Sequence, residues 1–249
     1  MKKPRTTAII PVRLESSRLP GKALLDICGL PMIVHVFKRC EFAESLDEVF
    51  VATDNDKIRQ VVEQYDGKVI MTSSNHKNGT ERIVEAANNI DADIIVNVQG
   101  DEALVNPTHI DAAVNALIKD QNVNVAILVN EFSKRNSPSD IKTVLDEENN
   151  VMYLSRSDIP SDARTNNPPM LKAYHILPFR KKFLLKYASW GKGYLEQIEY
   201  HEHLRILEKG YKIRAVRVDS DAVSVDIEED LNFVREEIVS DPFFKEYVI

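Results

Sequence analysis

Thr7-Ala8-Ile9-Ile10-Pro11-Val12 runs directly into Arg13-Leu14-Glu15-Ser16-Ser17-Arg18-Leu19-Pro20-Gly21-Lys22. The first six residues form a short apolar run of the length of a buried strand. The next ten place three cations and a glycine in a loop at that strand's end. Glycine lets a backbone approach a ligand closely, and Arg and Lys neutralise phosphate. The loop lacks the spacing of a Walker A loop and of a Gly-x-Gly-x-x-Gly fingerprint, which disfavours P-loop ATPases, Rossmann dehydrogenases and nucleotide-sugar epimerases. On composition alone a solvated charge cluster is an equal reading. The position after the first strand favours a polyanion such as a triphosphate.

Outward from this stretch, strand-length apolar runs alternate with helix-like segments. Strands are expected at Thr7–Val12, Glu48–Thr53, Lys68–Met71 and Asp93–Val98. Helices are expected at Pro31–Ala43, Asn55–Tyr65, Thr80–Asn89 and Pro107–Lys119. The alternation predicts parallel strands with right-handed crossovers, and ligands in such sheets bind beyond the carboxyl ends of the strands. After Val129 the pattern changes. Ser133–Asp140 is polar, and Ile141–Leu145 and Val151–Leu154 read as strands about a turn at Asp146–Asn150. Ser161–Pro169 reads as a loop, and Arg180–Trp190 and Tyr194–Lys209 as helices, the second closed by Gly210. Lys212–Val218 reads as a strand and Asp230–Val239 as a helix.

The chain has 249 residues, 32 Lys+Arg against 39 Asp+Glu, and a formal net charge of −7. That balance argues against a nucleic-acid or membrane-surface role. No stretch approaches the roughly 18 apolar residues of a membrane span. Cys28 and Cys40 lack metal-type spacing and read as a reduced cytoplasmic pair.

Two acidic motifs follow predicted strand ends or apolar stretches. In Val96-Asn97-Val98-Gln99-Gly100-Asp101-Glu102, Asp101 reads either as a hard-cation ligand or as a turn or cap residue. In Ser224-Val225-Asp226-Ile227-Glu228-Glu229-Asp230, Asp226 reads either as a partner ligand on one Mg²⁺ or as the N-cap of the last helix, with Glu229 completing a capping box. Asn78-Gly79-Thr80-Glu81-Arg82 opens a helix, either as a plain N-cap or as donors to a ligand acceptor. His201 and His203 are two apart, which on a helix separates their faces. A histidine metal site is therefore not expected, and these residues read as solvated or pocket-lining.

Taken in order, these motifs resemble the 3-deoxy-manno-octulosonate (Kdo) cytidylyltransferases over Ala8 to about Arg235. Pro11–Lys22 is similar to that family's Pro-Ala-Arg-x-x-Ser-x-Arg-x-Pro-Gly-Lys, with Val12 in place of Ala. Asn78–Arg82 resembles Ser-Gly-Thr-Asp/Glu-Arg, Val98–Glu102 resembles Val-Gln-Gly-Asp-Glu, Tyr153–Pro160 resembles Tyr-Phe-Ser-Arg-x-x-Ile-Pro, and Asp226–Leu231 resembles the family's late acidic motif. The resemblance implies an α/β, Rossmann-like three-layer nucleotidyltransferase fold with a mostly parallel sheet. It implies one domain over 1–249, with an inserted acceptor and dimerisation lobe at about 133–210. The implied reaction joins CTP and a small anionic acceptor, a sugar acid, to give the CMP-sugar and pyrophosphate. Implied catalytic residues are Arg13, Lys22, Asp101 and Asp226, the two aspartates holding Mg²⁺. Pro11, Arg13, Arg18, Lys22, Asn78, Gly79, Arg82 and Gln99 are implied to line the nucleotide, with the aspartates as a wall opposite the cationic loop. A cytoplasmic homodimer, with no membrane or nucleic-acid partner, in lipopolysaccharide or capsule biosynthesis completes the expectation.

The acceptor half departs from the resemblance. Gln99, Arg156, Arg164, Ala173, His175, Glu202 and His203 are the implied acceptor residues. Ala173 stands where the family has His, Leu177 where it has Tyr, and His203 where it has Gln. Loss of two hydrogen-bonding side chains costs about 10⁴-fold in discrimination when nothing replaces them. The expectation is a CMP-activated Kdo or Kdo-like 3-deoxy sugar acid. The alternatives are a different small anionic acceptor or an inactive nucleotide-binding paralogue.

Overall fold

β1 (Thr6–Pro11) is buried at all six positions. It pairs in parallel with two later strands, so its apolar run has no solvent face to alternate toward. The computed structural model describes residues 3–16, 18–76, 78–174, 176–219 and 223–248. The chain divides into two compact units, Met1–Asp111 with Ala222–Ile249, and Ala112–Asp221.

In the first unit a short hairpin, β2 (Asp26–Ile27) and β3 (Leu30–Pro31), leads into α1 (Met32–Glu41). Ile33, Val36, Phe37 and Cys40 recur at helical spacing and are buried. β4 (Glu48–Thr53), α2 (Asp56–Gln64), β5 (Lys68–Met71), α3 (Gly79–Asn88), β6 (Ile94–Val98) and α4 (Pro107–Lys119) follow. The strand order within this unit is β6-β1-β4-β5, and every pairing among these four is parallel. Asn55 caps α2 through the backbone N–H groups of Lys57 and Ile58, and Asn78 caps α3 through that of Glu81. The expected strand–helix alternation is therefore present, with boundaries shifted by one or two residues.

The second unit is built differently. β7 (Ala126–Phe132), β8 (Lys142–Leu145), β9 (Val151–Ser155), β10 (Met170–Tyr174) and β11 (Ile176–Arg180) precede α5 (Lys181–Ala188), α6 (Tyr194–Glu199), α7 (Leu204–Glu208) and β12 (Arg214–Arg217). The sheet runs β12-β7-β10-β8-β9. Its pairings are antiparallel except for the parallel β12–β7 edge. Lys142 lies buried on β8 and donates to the carbonyls of Ser137, Asp140 and Arg156 at 2.6–2.8 Å, so its cation stabilises three loop carbonyls that lack ladder partners.

Three sequence expectations change here. β7, β10 and β11 lie in a region read without strands, because their pairing is non-local and their flanks carry no turn signature. The helix expected over Tyr194–Lys209 is two helices, broken at Tyr200, whose φ of 50° is left-handed. His201 and His203 therefore do not follow helical spacing. Their rings pack edge-on at 5.0 Å and both residues are buried, so they are not solvated.

The chain returns to the first unit as α8 (Glu228–Ile238) and α9 (Phe244–Tyr247). Leu231, Val234 and Ile238 of α8 pack with Ile27, Met32, Ala103 and Val225. Arg39 is 2% exposed, donates to the carbonyls of Val105 and Leu104, and pairs with Asp241 at 2.7 Å, which tethers the C-terminal turn to α1. Among the described residues no helix is long and apolar enough to cross a membrane.

His35 is fully buried, with Nε2 at 2.9 Å from the Ile27 carbonyl and Nδ1 at 2.9 Å from the Tyr247 hydroxyl. Burial pushes its pKa below the ordinary 6.5, against the opposing pull of the Ile27 and Leu30 carbonyls. Below 6.5 the unfolded chain then binds more protons than the folded one, so this contribution is complete above 6.5 and is lost as pH falls. The urea midpoint of the wild type is expected to fall from pH 6.5 toward about pH 5 more steeply than that of His35→Gln. Equal slopes would remove His35 from the acid sensitivity.

Candidate functional site

The carboxyl ends of β1 and β6, the first turn of α3 and the segment before α8 enclose a cavity of about 290 Å³ in the first unit. Pro11 at the end of β1 lines it, with Arg13, Arg18 and Lys22 of the following loop. Asn78, Gly79 and Arg82 line it from α3, Gln99 and Asp101 from the loop after β6, and Asp226 from the segment before α8. All ten residues expected from the sequence to hold nucleotide or metal thus meet in one place.

Two glycines shape this cavity. Gly21 has φ 68° and ψ 17°, a left-handed conformation that turns the chain into the short 3₁₀ turn carrying Lys22. A Cβ on Gly100 would lie 2.6 Å from Val12 Cγ2 and 3.2 Å from the Pro11 carbonyl, so glycine lets the Gln99–Asp101 loop close onto the end of β1.

The expected opposition of a cationic wall and an acidic wall is corrected by the geometry. The Lys22 ammonium lies between the two aspartates, donating to Asp101 Oδ2 at 2.7 Å, Asp226 Oδ1 at 3.3 Å and the Val225 carbonyl at 2.7 Å. Arg18 Nη2 reaches the same Asp226 oxygen at 2.8 Å. Oppositely charged groups interleave because the long side chains of Lys22 and Arg18 reach the aspartates and an unpaired half-buried charge is costly. Arg13 is exposed and, among the described residues, has no ion pair. Arg82 is buried and already committed, to Asp54 at 3.2 Å and to Thr72 Oγ1 at 2.5 Å. It braces the ends of β4 and β5 against α3.

The aspartates are released from the capping roles open to them in sequence. Asp230, not Glu229, accepts the backbone N–H groups of Asp226 and Ile227 and so closes the start of α8. Asn106 opens α4 by accepting the Thr108 N–H. The two acidic loops are stitched directly: Val225 N–H donates to the Asp101 carbonyl at 3.0 Å, and the Ser224 hydroxyl donates to the buried Glu102 carboxylate. Asp101 and Asp226 are hard oxygen donors converging on one cationic centre, a donor set that suits Mg²⁺.

Asn78 both caps α3 and lines the cavity, and Gln99 Nε2 donates to Asn97 Oδ1 at 3.0 Å. The lining also includes Glu15, Ser16 and His76, which sequence reasoning did not single out. His76 Nε2 bonds to Glu85, whose carboxyl is held below the usual range by that bond and by the Ser73 N–H. Nothing in the spacing of His76 and Glu85 marks them as a pair, since a loop and the helix N-terminus separate them. Glu15 and Ser16 sit inside the same loop as Arg13, Arg18 and Lys22.

The remaining acceptor candidates belong to the second unit. Arg156 spends its guanidinium on the carbonyls of Pro138, Glu199 and Tyr200, so it braces loops there. Arg164 is exposed in the 161–169 loop. Ala173 and Leu177 are fully buried, His203 is 3% exposed, and Glu202 Oε1 lies 3.9 Å from His203 Nε2. His175 lies outside the described residues.

Residues 7–213 match the cytidylyltransferase family model. The 3-deoxy-manno-octulosonate cytidylyltransferase of Geobacter metallireducens is 39% identical over 248 residues, covering 94% of this chain and 98% of the relative. The 8-amino-3,8-dideoxy-manno-octulosonate cytidylyltransferase of Shewanella pealeana is 36% identical, covering 94% and 99%. Among solved structures, a CMP:2-keto-3-deoxy-manno-octonic acid synthetase complexed with CTP superposes with a TM-score of 0.92 at 36% identity, covering 95% of this chain and 99% of that one.

The close approach at Gly100 gives a direct test of how the cavity is built. Gly100→Ala is expected to destabilise the fold by about 1–3 kcal/mol, because its Cβ would overpack Val12. Val12→Ala in the same chain removes the obstructing methyl and should restore part of the loss, read as the thermal unfolding midpoint of both variants. A double variant no better than Gly100→Ala would show that the Pro11 carbonyl, not Val12, sets the limit.

Proposed function

The chain belongs to the cytidylyltransferase family, and from that premise we infer that it transfers CMP from CTP to a Kdo-like 3-deoxy sugar acid. The acceptor hydroxyl gives up its proton to the surrounding water as its oxygen bonds to the α-phosphorus, the bond to the bridging oxygen of the β-phosphate breaks, and pyrophosphate leaves. The observation that carries this reading is the single cavity in which Arg13, Arg18 and Lys22 face the same space as Asp101 and Asp226. Arg13 is placed to take phosphate oxygens without first breaking an ion pair. Arg18 and Lys22 neutralise the leaving pyrophosphate, where negative charge accumulates. Gly79, on the cavity lining at the start of α3, lets the backbone approach the nucleotide closely.

Asp101 and Asp226 would hold Mg²⁺, which when bound supplies Lewis-acid stabilisation of the phosphoryl oxygens. The acceptor is a sugar acid of the kind named for the relatives, and a chain that binds nucleotide without turnover is not favoured. Burial of Ala173 and Leu177 supports an acceptor contact that differs in detail from the family's His and Tyr. The setting is the cytoplasm.

The assay is pyrophosphate release from Mg-CTP with Kdo, 8-amino-Kdo and other sugar acids in parallel. Release with a 3-deoxy octulosonate, reduced about 100-fold or more by Asp101→Asn, is expected. Release only with an unrelated acid, or none with any acceptor while CTP still binds, would overturn the reading.

We assign a homodimer to the second unit. Tyr194 and Ile198 share a face of α6 at 72% and 56% exposure, and Tyr200 beyond it is 82% exposed. Apolar side chains this open in a row fit a self-contact better than solvent. Sedimentation velocity should give a dimer for the wild type and a shift toward monomer for Ile198→Asp with Tyr200→Asp. A monomeric wild type would remove the assignment.

A further inference from the structure

We propose that Lys22 is an internal counter-ion that closes the metal site until nucleotide arrives, so that metal and triphosphate bind as a coupled pair. The proposal rests on the reading of Asp101 and Asp226 as a metal-binding pair. An ammonium has three donors, and Lys22 spends all three inside the cavity: on Asp101 at 2.7 Å, on the Val225 carbonyl at 2.7 Å and on Asp226 at 3.3 Å. In that position it cannot donate to a phosphate, and it stands where a divalent cation must approach both carboxylates. The Lys22 side chain is 17% exposed and that of Asp101 25%, so water screens the contact only in part.

Charge balance points the same way. Lys22 and Arg18 carry two positive charges against the two negative charges of Asp101 and Asp226. Metal entering alone leaves two ammonium and guanidinium charges beside a divalent ion. Triphosphate entering alone must draw Lys22 and Arg18 away and leave two carboxylates uncompensated. Entering together, the metal takes the carboxylates and the phosphates take Lys22 and Arg18, so neither carboxylate and neither cation is left without a partner. Each ligand therefore raises the other's affinity by the same factor. The same exchange delivers Lys22 to the phosphates only when the metal is in place.

The test uses Mn²⁺ as the probe, with binding to the full-length protein followed by electron paramagnetic resonance, with and without CTP and with no acceptor present. Wild-type protein is expected to bind Mn²⁺ weakly alone and about tenfold or more tightly with CTP. Lys22→Met should bind Mn²⁺ about tenfold or more tightly than wild type in the absence of nucleotide, and CTP should then add little. Lys22→Gln, which keeps an N–H donor to the carboxylates, reports the same quantity should Lys22→Met not fold. Variants that bind Mn²⁺ alone no more tightly than wild type, while CTP still tightens wild-type binding, overturn Lys22 as the source of the coupling and leave the metal site standing. Absence of Mn²⁺ binding to all three proteins even with CTP overturns the metal site itself.

Discussion

One ammonium group holds the candidate site together. Lys22 joins its own loop to Asp101, 79 residues on, and to Asp226, 204 residues on. Three chain segments that share no secondary-structure element are brought within hydrogen-bond distance by it. Everything else around the cavity serves that convergence. Gly21 turns the loop so that Lys22 points inward, Gly100 lets the Asp101 loop close against β1, and Asp230 caps α8 so that the carboxylate of Asp226 remains available. The contact is electrostatic and half-buried, the regime in which charges are worth pairing but remain exchangeable for a ligand's charges.

The parallel sheet of the first unit explains why these loops meet at all. β1 and β6 are adjacent and parallel, so their carboxyl ends open onto the same edge, and the residues that follow each strand become neighbours. α3 begins at that edge, where Asn78 caps it through the Glu81 N–H. Arg82 then ties α3 to the ends of β4 and β5 through Asp54 and Thr72. The residue also lines the cavity, and its guanidinium contributes rigidity by these bonds. Arg156 in the second unit is the same case, a motif arginine whose donors are spent on backbone carbonyls.

The first unit was legible because its signals are local. A buried parallel strand must be continuously apolar, and the runs at β1, β4 and β6 are. Asn55 and Asn78 announce their helices as side-chain caps. The second unit hid its sheet, since β7 and β10 pair across a long separation and carry neither hairpin turns nor clean alternation. The break at Tyr200 was equally hidden: tyrosine disfavours a left-handed backbone, and it is held there by the Arg156 contact to its carbonyl and by the packing of the residues after it. Misreading that break misplaced His201 and His203, which pack ring against ring in the interior.

From the sequence alone come Arg13, Arg18, Lys22, Asp101 and Asp226 as charged residues of the cavity, the parallel α/β class and the ordered motifs that place the chain among the cytidylyltransferases. These follow from strand periodicity, cap chemistry and motif spacing, all of which are properties of neighbouring residues. Only the tertiary structure decided how the charges pair. Lys22 lies between Asp101 and Asp226 rather than across from them, Arg13 has no ion pair among the described residues, Arg82 is committed to Asp54 and Thr72, and His76 enters the cavity on the carboxylate of Glu85. Pairing depends on which side chains reach one another once the strands are laid side by side, and a linear order of residues carries no distance between them.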